Sequence, residues 1–436
     1  MFTLPDLLFK GVSMVILITS IMVFFHLGFY TLLALIGLKK PKRTYEIKSD
    51  KNKFLFIVPA HNEEKVIQNC LESISRLDYD AQLVNAVILA DHCEDRTAEI
   101  ARSINNYTVY ENTYAEGDVR GKPHVIGKYL KEHRDIWLKY DFIVFLDADN
   151  LVSSNYLKEI NSQSIAQPEY MVIQGYLDSK NIGESMLSRG YAAAYFITNR
   201  AIQYSKHLLG WNASIGGTGF ALRTDYIEQY GWNPKSYTED FEIQVELSIE
   251  GKKSTWNHFA KVYDEKPNTL VVSHVQRTRW SQGHWHIAFT KTGKQLLSLV
   301  KPQGIVSWSN RLETLIYSYS MFRSVWLLFL FMLVAIDVRL ISQLPYFFSF
   351  FWFWLIFETI NYIVIPFTYI IQEGKEYMGN FNTSKKISEF FLLWVGYFYS
   401  TAVYYFAQIK GFFTWFLPQN HWQKTEHTSQ VSSDDL

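Results

Sequence analysis

Hydrophobic positions along the chain come in three patterns. Residues 11–38 (GVSMVILITSIMVFFHLGFYTLLALIGL) run without Asp, Glu, Lys or Arg, and His26 is the only side chain there that titrates near neutral pH. At about 1.5 Å per residue this outreaches a hydrocarbon core of about 30 Å, and it exceeds the roughly 7–15 apolar residues of a signal peptide. Lys39, Lys40, Lys42 and Arg43 follow it, against Lys10 before it. The pattern therefore predicts a retained transmembrane helix with the next segment in the cytosol. From about residue 50 to 295, short apolar runs alternate with helical patterns: FLFIV (54–58) and a helix from about Glu63, VNAVIL (84–89) and a helix from about Glu94, then FIVFL (142–146) and polar turns. Strand–helix alternation predicts βαβ units around a mostly parallel sheet, with loops at the carboxyl ends of the strands placed for chemistry.

Beyond residue 295 the chain turns apolar again. Residues 324–336, 340–357, 359–372 and 390–409 lack charged side chains, which predicts about three crossings within 313–418. Before them, residues 276–312 interleave basic and aromatic side chains (Arg277, Arg279, Trp280, Trp285, Lys291, Lys294, Trp308), a pattern suited to amphipathic helices at the cytosolic interface. The expected organisation is a membrane helix with a basic flank (1–45), an α/β domain (46–275), interfacial helices (276–312), a membrane bundle (313–418) and a tail (419–436), disordered after about Glu426.

Composition narrows the functions available. Lys+Arg and Asp+Glu number 42 each, so the net charge of zero argues against a nucleic-acid partner. Two Cys exclude a disulfide framework and any multi-Cys metal site. Aromatics reach 17%, more than a soluble domain needs, and a lipid bilayer accounts for part of the excess.

Three motifs can carry chemistry. Asp147-Ala-Asp149 follows the strand FIVFL; side chains two apart in an extended segment share a face, so both carboxylates can meet one Mg²⁺ or Mn²⁺ ion, while a solvated turn has the same composition. Thr238-Glu239-Asp240 opens a helical stretch, and it reads equally as an N-cap with acids matched to the helix dipole or as a site for a catalytic base. Gln276, Arg279 and Trp280 stand at i, i+3 and i+4, one helix face that can bind a diphosphate and a sugar or anchor at the interface. Asn62, Glu63, Asp91, Asp95 and Lys122 suit a nucleotide pocket and are also ordinary loop residues. Gly216-Gly217-Thr218-Gly219 fails both the dinucleotide and P-loop patterns and reads as a flexible turn.

PAHNEE, ILADHCEDRTAEIA, RGKPHVI, FLDAD, TED and QRTRW occur in this order across residues 54–285. As a set they resemble the membrane-bound processive family 2 glycosyltransferases, which include cellulose, chitin, hyaluronan and poly-N-acetylglucosamine synthases. The resemblance implies a GT-A-type α/β domain at the cytosolic face of a bacterial plasma membrane, in a multi-pass protein. It implies an inverting transfer from a UDP-sugar to a growing polysaccharide, or to a lipid acceptor in a non-processive enzyme; a regulator or transporter with a binding-only domain is the alternative outside enzymes. Asp91, Asn62 and Glu63 would line the uracil pocket, and Lys122 would sit near the donor. Asp147 and Asp149 would hold the nucleotide and a divalent cation (Mg²⁺ or Mn²⁺), and Asp240, beside Glu239, would act as base. Gln276, Arg279 and Trp280 would bind the diphosphate and the acceptor. His92-Cys93-Glu94 departs from the small Gly/Ser-rich turn common after the donor-site Asp. His421-Trp422-Gln423-Lys424-Thr425 resembles a segment that relatives keep in the cytosol, whereas three crossings would put the tail outside.

Overall fold

Runs of alternating Phe, Leu, Ile and Val bounded by polar turns become buried strands because each face of the sheet is covered by helices. The computed structural model describes all residues except 1–3, 106, 114–119, 235, 302, 337–351, 354, 420–428, 430 and 436. In chain order the elements are α1 (Leu4–Ile36), β1 (Phe54–Ala60), α2 (Ile67–Ser75), β2 (Val84–Asp91), α3 (Thr97–Ser103), β3 (Thr108–Asn112), α4 (Lys122–Glu132), α5 (Arg134–Trp137), β4 (Phe142–Phe145), β5 (Leu151–Val152) and α6 (Tyr156–Ala166). There follow β6 (Tyr170–Ser179), α7 (Met186–Thr198), α8 (Ser205–Leu209), β7 (Phe220–Arg223), α9 (Thr224–Tyr230), α10 (Glu239–Glu250), β8 (Lys253–Asp264), α11 (Leu270–Leu299), α12 (Ile305–Ser318) and α13 (Phe322–Ile336). Two long helices follow, α14 (Leu355–Glu373) and α15 (Thr383–Thr414), and a single 3-10 turn at Ser433–Asp435.

The strands form one sheet in the order β3-β2-β1-β4-β7-β6-β8-β5. The half from β3 to β4 is parallel, as the βαβ pattern predicts, whereas β7 and β5 run antiparallel to their neighbours. Successive residues of β1 split between two cores. Phe54, Phe56 and Val58 pack with α2 and α6 residues on one face, and Leu55 and Ile57 with α4, α9 and α10 residues on the other.

Among the described residues, three helices are long and apolar enough to cross a membrane, α1, α14 and α15, and α12 with α13 makes a bent pair (42°) that passes the same test as a unit. The run 340–357 lies mostly outside the described residues. Trp326 on α13 donates to Thr19, Phe24 packs edge-on against Phe357, and Arg323 pairs with Glu358 at 3.4 Å, so α1, α13 and α14 cluster together. Helix α15 joins this cluster on one side, where Tyr405 accepts from Arg323 of α13 and Phe390 packs edge-on against Phe367 of α14, and on another side it lies along α7 and α11. Arg189 on α7 holds Glu389 at 2.9 Å; Arg277 on α11 donates to the Ser400 carbonyl; and Gln282 donates to Thr414 at 2.8 Å. A stripe of Leu393, Gly396, Ser400, Ala407 and Gly411 is buried there, and Ile387, Phe391, Val395, Phe406 and Phe413 stay exposed on the other side. Helix α11 starts at Leu270 and runs without a break through the boundary expected at 275/276.

Residues after 426 are not all loose. Ser429 is buried, and Asp434 pairs with Arg76 of α2 at 2.6 Å. The His421–Thr425 segment itself lies outside the described residues.

Candidate active site

The carboxyl ends of β1, β2 and β4 converge with the start of α10 and one face of α11 around a cavity of about 710 Å³. Glu63, Asp91, Lys122, Asp147, Asp149, Glu239, Asp240, Gln276, Arg279 and Trp280 all line it. Three motifs that are weak singly thus meet in one place.

Asn62 is the exception among the residues expected there. It is not among the lining residues; its φ of 57° and its side-chain oxygen, which accepts the Glu94 N–H at 2.7 Å, make it a staple between the loops after β1 and β2. The Cys93 thiol joins the same staple by donating to the Ala60 carbonyl at 3.4 Å. His92 takes φ 51°, so the turn adopts a left-handed conformation without a glycine and His92 reaches the cavity wall. Asp91 is buried at the end of β2. Asn112 from β3 donates to it at 2.8 Å, and Lys128 from α4 donates to Asn112 at 2.7 Å.

Asp147 and Asp149 share the cavity for a reason other than strand alternation. Strand β4 ends at Phe145, and the Asn150 N–H donates to the Asp147 carbonyl in a turn. The Asp147 N–H donates to Thr218 Oγ1 at 3.0 Å, and that hydroxyl donates to Asn150. Glycine and threonine of the 216–219 loop, expected to be only a flexible turn, therefore brace the acidic turn. Gly217 has φ 77°, and a Cβ there would lie 3.3 Å from Asp240 Oδ2, so a side chain would be strained and would press on the carboxylate.

Lys122 ties the site together. Its Nζ lies 2.7 Å from Asp147 Oδ1, 3.1 Å from Glu239 Oε1 and 2.6 Å from the Gly217 carbonyl. Gly121, at φ 117°, sets the turn that opens α4 and delivers this side chain. Thr238 is the N-cap of α10, but its side chain makes no cap hydrogen bond; it packs on Gly283, where a Cβ would come within 2.5 Å of its Oγ1. Capping thus leaves the motif unexplained. Glu239 pairs with Lys122, while burial first and the Glu239 charge second push the Asp240 carboxyl up to about 7.

On α11, Gln276, Arg279 and Trp280 face the cavity, and Arg277 on the adjoining face stacks on Tyr191 at 3.9 Å and binds Ser400. His284, one turn on, stacks on Phe241 with ring centroids 4.3 Å apart, so it is a wall residue of the cavity. On the far side, the Glu265 N–H after β8 donates to Asp149 Oδ2 at 3.2 Å. Asn112, Lys128, Thr218 and Glu265 carry no motif, and only the fold brings them here.

Two carboxylates lining one cavity suit Mg²⁺ or Mn²⁺, which typically bind through one or two carboxylates plus substrate phosphates. Among the described residues no group of three or more His, Cys, Asp or Glu could hold an ion unaided.

Residues 51–283 match the family described as Glycosyltransferase like family 2. The chain is 25% identical over 241 residues to the probable glycosyltransferase YdaM of Bacillus subtilis (strain 168), covering 53% of this chain and 55% of that protein. It is 24% identical over 231 residues to the poly-beta-1,6-N-acetyl-D-glucosamine synthase of Staphylococcus aureus (strain COL), covering 52% and 53%. The chain therefore spans about half the length of the curated relatives it matches. Among solved structures, the mannosyltransferase PcManGT from Pyrobaculum calidifontis, in complex with GDP-Man and Mn²⁺, shares the fold at a TM-score of 0.52, with 14% identity over 92% of this chain and 98% of that one.

Proposed function

The chain belongs to the glycosyltransferase 2-like family, and from that premise we propose that it is an inverting, metal-dependent glycosyltransferase that extends a β-linked polysaccharide from a UDP-sugar at the cytosolic membrane face. The observation that carries this reading is the single cavity in which Asp147 and Asp149, Asp240, and the Gln276–Arg279–Trp280 face meet, clamped by Lys122.

Each residue has a physical task. Asp91, fixed by Asn112, contacts the nucleoside, and Glu63 lines the same end. A divalent cation held by Asp149 and Asp147 would offset the charge of the diphosphate leaving group. Arg279 and Gln276 hold that diphosphate from the opposite wall, and Trp280 offers a ring to the acceptor sugar. Asp240 takes the proton from the acceptor hydroxyl as its oxygen attacks the anomeric carbon; the bond to the diphosphate breaks and UDP leaves. With Glu239 committed to Lys122, one carboxylate serves as base, and direct displacement converts an α-linked donor into a β-linked product.

The relation of the cavity to the membrane supports a growing chain as acceptor. Beyond Trp280 the cavity continues to Tyr317, Ser320, Met321, Tyr404 and Gln408, and Gln408 bonds Ser324 at the start of α13. The acceptor thus lies between catalytic carboxylates and apolar helices, as elongation with translocation requires. We place one crossing at α1 and two after the domain, the α12–α13 pair and α14, with α15 lying in the interface. An even number returns the tail to the catalytic side, in keeping with the Arg76–Asp434 and Glu265–Ser429 contacts.

The test is to incubate the purified protein with a panel of UDP-sugars and Mn²⁺ or Mg²⁺, measure UDP release, and size and linkage-map the product. The expected product is a β-linked polymer from one UDP-sugar. A single-sugar lipid would replace processive synthesis with lipid glycosylation, and no turnover of any donor would remove the enzymatic reading.

A further inference from the structure

The walls of the cavity are fastened by a part of the chain that the reaction does not call for. On the wall that carries Thr238–Asp240, Gln419 accepts the Tyr237 N–H at 2.7 Å. On the wall that carries Asp149, the Ser429 N–H donates to Glu265 Oε1 at 3.1 Å, and Ser429 is only 4% exposed. The other Glu265 oxygen lies 3.2 Å from Lys180 Nζ, with both side chains almost fully buried. Held from two sides, Glu265 presents its own peptide N–H to Asp149 Oδ2 at 3.2 Å. The segment then continues over α2: Asn69 donates to the Val431 carbonyl at 3.3 Å, and Asp434 meets Arg76.

We infer that residues 429 and 431–435 form a strap that positions Asp149 through Glu265, so that its seating sets how firmly the donor diphosphate and its cation are held. Glu265 and Ser429 are positioning residues: neither needs to touch the donor. The chemistry of the contacts explains how the strap works. A peptide N–H on a buried carboxylate is a charge-assisted bond, whereas the Arg76–Asp434 pair is exposed on both sides and holds weakly. The strap is therefore pinned at Ser429, and its far end is loosely laid. This inference rests on the assignment of Asp149 to the donor site.

The experiment compares the full chain with a version stopped after residue 428, and with Ser429→Pro and Ser429→Ala. Mn²⁺ binding in the presence of UDP is followed by the EPR signal of free Mn²⁺, alongside UDP release. Stopping after residue 428 is expected to weaken UDP-dependent Mn²⁺ binding about tenfold, a typical loss when an outer-shell partner of a ligating carboxylate is removed. Proline, which lacks the N–H, should do the same. Alanine keeps the N–H and loses only a hydroxyl that makes no hydrogen bond among the described residues, so it should restore binding. If the shortened chain fails to fold, the proline–alanine pair decides alone. Equal Mn²⁺ binding, within twofold, by the full chain and by Ser429→Pro would overturn the strap while leaving the donor site intact. A full chain that binds no Mn²⁺ with UDP would instead overturn the donor-site assignment and the strap with it.

Discussion

A side chain's role in this site follows from what fixes it. Asp240 is half-buried beside Glu239, and desolvation and that neighbour push its carboxyl up to about 7, so it is poised to accept a proton near neutral pH. Only the ionised form can act as base, so kcat/KM should rise as pH passes upward through about 7 and then level off; a flat profile between about pH 5.5 and 8 removes Asp240 from that role. Asp240→Asn should lower turnover by about 10²–10⁴-fold while calorimetry still detects UDP, because the amide cannot take the proton but fills the same space. Gly217→Ala should be costly both for its left-handed φ, about 1–2 kcal/mol, and for the pressure of a methyl on Asp240, and the loss can be read as a lowered Tm together with lowered kcat. The acids were legible in the sequence because they punctuate a strand end and a helix start. Thr218, Asn112 and Glu265 were not, because a hydroxyl, an amide and a peptide N–H acquire meaning only from the acid they face. Asn62 shows the converse: a polar residue beside a pocket motif accepts the Glu94 N–H of the neighbouring loop and is not among the residues lining the cavity.

Among the elements, α15 is the instructive one. Its composition suits a membrane crossing, and its length allows one. Its buried stripe of small residues and its contacts from Glu389 to Thr414 lay one side of it along α7 and α11, while Tyr405 and Phe390 meet α13 and α14. The closest approach is at Gly190 and Gly396, where a Cβ on Gly190 would stand 2.1 Å from the Gly396 carbonyl oxygen. Gly190→Val should therefore force the helices apart and destabilise the protein by at least about 1–3 kcal/mol, seen as a lower Tm in detergent and as loss of activity, since α11 carries Gln276 and Arg279. An unchanged Tm would show that the two helices are not packed this way. Periodicity foretold β1, β2 and β4, which are continuous apolar runs, and missed β3 (TVYEN), a mostly polar edge strand. It did not reveal β5 to β8, whose pairings, antiparallel except for β6 with β8, join segments far apart in the chain.

For the whole molecule, the arrangement with α15 in the interface can be checked by cysteine labelling. With Cys70 and Cys93 replaced, single cysteines at Ser384 and Phe416 should both react with a membrane-impermeant maleimide from the same side as a cysteine at Asp434. Labelling of Ser384 and Phe416 from opposite sides would establish a true crossing. The sequence by itself determined that an α/β domain lies among apolar segments, that its acids sit at strand and helix ends, and that Gln276, Arg279 and Trp280 share a helix face. Those properties depend on local periodicity and backbone preference, which a stretch of ten to thirty residues contains in full. Only the tertiary structure decided that Lys122 clamps two acidic motifs, that α15 lies along the domain, and that the tail returns to Glu265. Each depends on contacts between residues separated by tens to hundreds of positions, where burial of charge and close approach of backbones select one partner from many that composition allows.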